Sequence, residues 1–173
     1  MKTFKTISIL AFFFLTNASF TRLVDKDDYY IVVSKSEYTM NIYDADDKFI
    51  VSYPAVFGNN DLGDKLVEGD RRTPEGTFHI ASKRVHPKWD RFLALDYPTQ
   101  ESYERFNYRK SKGEIPANAR IGGSIGIHGT WPQEEFAVDA HQNWTLGCVS
   151  TKNTFIREIY DQLPVGTRVE IIK

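Results

Sequence analysis

Two short motifs carry the reactive side chains of this chain. Ile127-His128-Gly129-Thr130 supplies an imidazole, and Thr145-Leu146-Gly147-Cys148-Val149-Ser150 supplies the only cysteine. A thiolate can attack a carbonyl carbon while an imidazole takes and later returns the proton, so the pair has the residue types for cysteine acyl transfer. Taken singly, each residue has an ordinary alternative: a free cysteine is most often a small buried apolar residue, and a histidine at a strand end is often structural. An unperturbed thiol titrates near pH 8.5, so Cys148 needs an imidazolium or a helix start beside it to be a thiolate at neutral pH. The amide N–H groups of Leu146, Gly147 and Cys148 could meet the oxyanion of a tetrahedral intermediate, with Gly147 permitting the required turn. His128, His141 and Cys148 lack any zinc-finger or zincin spacing, so no metal and no other cofactor is expected.

Most of the elements that must position these residues read as strands. Tyr30-Ile31-Val32-Val33, Thr39-Met40-Asn41-Ile42-Tyr43 and Phe49-Ile50-Val51-Ser52-Tyr53 are short β-branched and aromatic runs separated by polar turns, which predicts hairpins. Pro54 marks an edge or a strand end. The stretch Gly69 to Phe78 has the Pro-x-Gly composition of a tight turn entering a strand through Thr77 to Ile80, and reads as a positioning loop. Pro98 to Tyr108 predicts a short helix capped by Thr99 or Ser102, with Tyr103 and Phe106 on its apolar face. Asn153 to Leu163 predicts a second, with Phe155, Ile156, Ile159, Tyr160 and Leu163 on one face before Pro164 and Gly166. Thr167 to Ile172 reads as a final strand. The expected architecture is mainly β (α+β), with packed mixed sheets and about two short helices.

The amino end bears on where the chemistry occurs. Lys2 and Lys5 precede the apolar run Ile7 to Leu15, and Thr16-Asn17-Ala18 offers small residues to a signal peptidase, so residues 1–18 read as a secretory signal. The run is shorter than the roughly 20 residues a spanning helix needs, and no stable membrane insertion is expected after cleavage; an uncleaved anchor is the alternative. No cysteine follows the cleavage region to take a lipid. Residues 19–173 then form one domain without repeats or a Pro-rich linker. A formal net charge of -1 gives no electrostatic reason to invoke nucleic acid. Binding preference must come from a pocket.

The ordered set Gly69-Asp70, Thr73-Pro74-Glu75-Gly76, Ile127-His128-Gly129 and Thr145-Leu146-Gly147-Cys148 resembles the L,D-transpeptidase catalytic domain (YkuD) family, as do Leu95-Asp96-Tyr97-Pro98 and Ser124 to Gly129. The resemblance covers nearly all of the mature chain and implies an exported enzyme of the periplasm or cell envelope. It implies that Cys148 is the nucleophile, that His128 is its base, and that a backbone carbonyl, here that of Gly129, orients the ring in place of a carboxylate. The implied donor is a peptidoglycan stem peptide cut before its terminal D-Ala through a thioester. With an amine acceptor on a second stem the product is a 3-3 crosslink; with water the same site is a carboxypeptidase. The motifs do not identify the acceptor.

Three positions depart from the family pattern. Thr145 stands where Ser is usual, and Leu146 where a His or a small or polar residue is common. Ser150 stands where an Arg or Asn usually holds substrate, a loss that Lys152 or Arg157 is expected to offset. Ser150 is also the one sequence hint of a non-catalytic wall-binding domain. Thr145, Ser150, His141 and Trp131 are taken as substrate-binding candidates. His141, seven residues before the cysteine, is a pocket wall in the functional reading and a loop histidine with a satisfied hydrogen bond in the ordinary one. Trp131 and Trp144 suit a lid or plain packing equally. His79 and His86 have no motif support. Arg71, Arg72, Lys83, Arg84 and Lys88 are left outside the site, because loop charges are usually only solvated.

Overall fold

Apolar alternation organises the first strands. In the computed structural model, which describes residues 29–173, β1 (Tyr30–Ser34) and β2 (Thr39–Tyr43) pair antiparallel, and their alternate residues Ile31, Val33, Met40 and Ile42 are buried. Residues 1–28, with the expected signal, lie outside the described residues. Strand β3 (Phe49–Pro54) pairs with β2 and ends on Pro54 at the edge of the sheet, where a residue without an N–H costs no ladder bond.

The long strand β4 (Gly76–His86) joins two halves. Its first residues, Gly76 to His79, pair antiparallel with the last strand, which itself lies parallel to β1. Its remainder, Ile80 to His86, pairs with β5 (Asp90–Leu95) across an irregularity at Ile80/Ser82. Strand β6 (Gly126–His128) runs antiparallel to β5, and β7 (Val149–Ser150) runs parallel to β6. With β8 (Arg168–Ile172), the eight-stranded order is β3-β2-β1-β8-β4-β5-β6-β7. The strand expected over Thr77 to Ile80 is thus longer than the turn signals implied, because its polar second half is a cross-strand partner of β5 and needs no apolar alternation.

The two expected helices are present, with a third of four residues between them. α1 (Gln100–Ser111) is capped by the Thr99 hydroxyl on the Ser102 N–H. Its buried residues are Ser102 and Phe106, while Tyr103 is exposed. The helix docks by charge instead of by a Tyr103–Phe106 stripe: Arg109 reaches the Asp64 carboxylate at 2.7 Å and the Lys65 carbonyl at 3.0 Å. The short α2 (Phe136–Asp139) falls in the lid stretch, where four residues give no readable period. α3 (Asn153–Gln162) buries Ile156 and Ile159 and is followed by buried Leu163, with Phe155 against Tyr53 of β3 at 5.0 Å. It packs also on β5 and β6 and so fills the space between the halves. Among the described residues no helix is long and apolar enough to cross a membrane.

Candidate functional site

The cysteine loop is built by close approaches. Gly147 has φ 128°, and a Cβ there would lie 2.9 Å from the Arg72 carbonyl oxygen, so only glycine fits. The Thr145 hydroxyl, buried in the loop, donates to the Cys148 carbonyl at 2.8 Å and accepts the Gly147 N–H at 3.1 Å. Arg71 clips the same loop from outside, donating to the carbonyls of Thr145 at 3.3 Å and Gly58 at 3.1 Å. Arg71 and its neighbours are in turn held by Asp70, whose carboxylate accepts from Leu66 N, Val67 N, Arg72 N and Lys65 Nζ at 2.7 to 3.0 Å. Burial alone would raise the Asp70 carboxyl, but the Lys65 ammonium and these N–H groups hold it below the usual range. Lys35, 1% exposed, anchors the preceding turn through the Gly63 and Thr73 carbonyls and Glu75. The Gly69 to Gly76 segment is thus the positioning loop its composition predicts.

His128 closes β6 and is 1% exposed. Its Nδ1 lies 2.7 Å from the Gly129 carbonyl oxygen. A carbonyl can only accept, so Nδ1 carries the hydrogen and Nε2 is the lone-pair nitrogen of the neutral ring. Trp89 supports the arrangement twice. Its ring stacks on His128 with centroids 4.4 Å apart, and its carbonyl accepts the Gly129 N–H at 3.0 Å. A Cβ on Gly129 would meet that carbonyl at 2.8 Å. Burial pushes the His128 imidazole down to about 4, opposed by the Gly129 hydrogen bond, with the charge of His86 adding to the drop.

Cys148, directly before β7, is half-buried, and its thiol donates to the Ser124 carbonyl at 3.5 Å. Burial pushes it up to about 11, against a backbone hydrogen bond from Gly126 and the charge of Lys65. Neither the imidazolium nor the helix start expected beside it is present: His128 is neutral, and α3 begins five residues later. Thiol and imidazole therefore rest uncharged. Both line one cleft of about 690 Å³, with Trp89, Phe92, Trp144 and Arg84 among its walls.

The other expected residues divide between the cleft and its frame. Thr145 and the exposed Leu146 line the cleft. The Gly147 N–H is directed at Thr145 Oγ1, which removes it from the expected trio of oxyanion amides. Ser150 does not line the cleft. It is 0% exposed and donates to the Gly129 carbonyl at 3.2 Å, because its place opposite His128 in the β6–β7 register turns it into the sheet. The expected substitutes for it are engaged elsewhere, Lys152 with Asp139 at 2.6 Å and Arg157 with Asp90. His141 stacks on Tyr38 at 4.5 Å, outside the cleft, so it is neither a wall of it nor a metal partner of His128 and Cys148. Trp131 stands edge-on to Trp89 at 6.5 Å and lines a smaller neighbouring cavity instead.

Trp89, Phe92 and His86 were missed. They recur every third residue across the β4–β5 hairpin, and that aromatic spacing was the available signal. His86 stacks on Trp89 at 4.4 Å, and its Nδ1 accepts the N–H groups of Lys88 and Trp89 at 3.2 Å.

A mixed β domain here brings a lone thiol and a neutral, carbonyl-oriented imidazole to one cleft, the residue types that cysteine acyl transfer uses. The model of the L,D-transpeptidase catalytic domain (YkuD), a family of cysteine-dependent L,D-transpeptidases that modify peptidoglycan, matches residues 28–171, and the chain belongs to this family. Among solved structures it is similar to the helical cell shape determining protein Pgp2 from Campylobacter jejuni, with a TM-score of 0.63, 21% identity, and 86% of this chain and 49% of that one covered. Bd1075 of Bdellovibrio bacteriovorus gives 0.58 and 22%, covering 84% and 48%. The Enterococcus faecium L,D-transpeptidase, as a cysteine-to-serine mutant, gives 0.55 and 17%, covering 84% and 50%. This chain thus spans about half the length of each. No curated protein sequence matches it.

Proposed function

We propose that this chain is an exported L,D-transpeptidase that joins peptidoglycan stem peptides through a thioester on Cys148. The observation that carries the reading is the shared cleft: His128 Nδ1–H is fixed on the Gly129 carbonyl, which leaves Nε2 as the basic nitrogen, and the only thiol lines the same cleft. The stem carbonyl enters, Sγ attacks its carbon, and the thiol proton passes to Nε2 in the same step. The oxyanion is met by the amides of Leu146 and Cys148. Collapse breaks the C–N bond, and the departing D-Ala nitrogen takes the proton from His128. An acceptor amine then attacks the thioester, His128 removes its proton, and the thiol is restored. Water in place of the amine gives the L,D-carboxypeptidase variant on the same residues.

The resting protonation supports general-base attack in place of a preformed thiolate–imidazolium pair. Ser150, the one hint of a non-catalytic wall-binding domain, is buried against the Gly129 carbonyl, so its departure from the usual Arg or Asn costs the cleft no contact seen here. Residues 1–18 act as the signal and place the enzyme in the periplasm or cell envelope.

Mass spectrometry of purified tetrapeptide muropeptides tests the reading. The protein is expected to remove terminal D-Ala and form dimers, and the Cys148→Ala variant to do neither. An unchanged muropeptide profile from folded wild-type protein refutes it.

A further inference from the structure

The cations of the cleft are not equivalent. Lys65 is buried and committed to Asp70 at 2.7 Å, and Arg71 is pinned against the cysteine loop, donating from Nε to the Thr145 carbonyl and from Nη2 to the Gly58 carbonyl. Glu68, the one carboxylate lining the cleft, is paired with Arg120 at 3.0 Å. Arg84 differs. It lines the same cleft as Cys148 and His128, it is exposed, and among the described residues its guanidinium meets a ring and no carboxylate. That ring is Phe92, its cross-strand partner, with the guanidinium 4.3 Å from the centroid. Phe92 stacks in turn on His128 at 5.9 Å and an interplanar angle of 11°. The strand pairing and the ring therefore hold a planar, permanently charged fork against the wall that carries the base.

The geometry points to Arg84 as the residue that grips a carboxylate of the acyl donor, an inference that rests on the proposed stem-peptide substrate. A fork held flat on a ring presents its N–H edge to the cleft, and that edge matches a carboxylate bidentately. A tetrapeptide ending in diaminopimelate and D-Ala offers two such groups near the scissile bond, the terminal carboxylate and the free carboxylate of the diaminopimelate side chain. Arg84 thereby selects acidic over amidated donors.

Titration calorimetry in the Cys148→Ala background, where no turnover consumes the peptide, tests this with three ligands: the free tetrapeptide, its terminal amide, and its diaminopimelate side-chain amide. With Arg84 present, one of the amides is expected to bind about tenfold more weakly than the free acid, and which one identifies the carboxylate gripped. Arg84→Gln is expected to erase that difference, and Arg84→Lys to restore part of it, since a point charge lacks the fork. Equal affinity for all three ligands with Arg84 present, or a preference that survives Arg84→Gln in a protein of unchanged melting temperature, overturns the assignment. Failure of the proposed function is distinguishable: binding would keep its Arg84 dependence while the wild-type protein formed no cysteine-dependent product.

Discussion

The hairpin half of the sheet, β1 to β3 with β8, and the half formed by β5 to β7 bury different chemistry. The first interleaves Ile31, Val33, Met40, Ile42, Val169 and Ile171. In the second, His128 and Ser150 face each other across a parallel pair, both buried, and both donate to the same Gly129 carbonyl. Apolar burial in the first half is interchangeable in kind; the polar contacts of the second are each tied to one atom. The apolar core runs through both halves, taking in Leu93, Ile127 and Val149 as well as Ile31 and Val33, but the polar contacts that hold the imidazole belong to the second.

The largest expected effect sharpens that contrast. Cys148→Ala should reduce D-Ala release at least ~1000-fold with little change in melting temperature, as for removal of a covalent nucleophile. Ile31→Ala should do the reverse, lowering unfolding free energy by about 2–5 kcal/mol in denaturant titrations with turnover per folded molecule unchanged within about twofold. A large loss of intrinsic turnover in Ile31→Ala would break the comparison.

Next in size is the thiol's reactivity. With Cys148 pushed up to about 11, the thiolate fraction of the peptide-free protein at neutral pH is more than about a hundredfold below that of an ordinary thiol. Alkylation by iodoacetamide should be correspondingly slow and keep rising to about pH 11. Labelling as fast as free cysteine at pH 7 would mean a preformed ion pair and contradict the resting state described.

Acid stability follows from His128. Its folded value of about 4 lies below the ordinary 6.5, so the unfolded chain binds the proton more readily between them. The full contribution is present above pH 6.5 and is lost as pH falls toward 4, by roughly 3 kcal/mol at 1.36 kcal/mol per unit. His128→Gln should flatten this part of the stability profile; an equally steep fall in the variant would assign it to other groups.

The smallest effect concerns Ser150. Ser150→Ala should cost about 1 kcal/mol of stability. Freed of a competing donor, the Gly129 carbonyl binds Nδ1–H more strongly, so the His128 titration seen by NMR should move upward, and Ser150→Thr should restore it. An unmoved titration would leave Ser150 as packing alone.

These contrasts explain what was legible. Short β-branched and aromatic runs bounded by polar turns revealed β1, β2 and β3, and the 3.6-residue period revealed α3, because both signals are local. The Cys148 and His128 motifs stood out by residue type. Ser150 was misread because its environment is set by its β6 neighbour, 22 positions away in sequence. The same holds for Arg84 and Phe92, whose partnership with His128 exists only once β4, β5 and β6 lie side by side. Tyr103 was misplaced because α1 docks through Arg105 and Arg109, whose carboxylate partner Asp64 lies outside the helix.

The uncharged resting state of Cys148 has a consequence for survival as well as for reaction. Oxidants and stray electrophiles consume thiolates far faster than thiols. With no second cysteine in the chain, a sulfenic acid at this position would have no resolving partner to rescue it. The same burial that slows the thiol's chemistry at rest, by keeping the proton on sulfur, thus acts as its preservative.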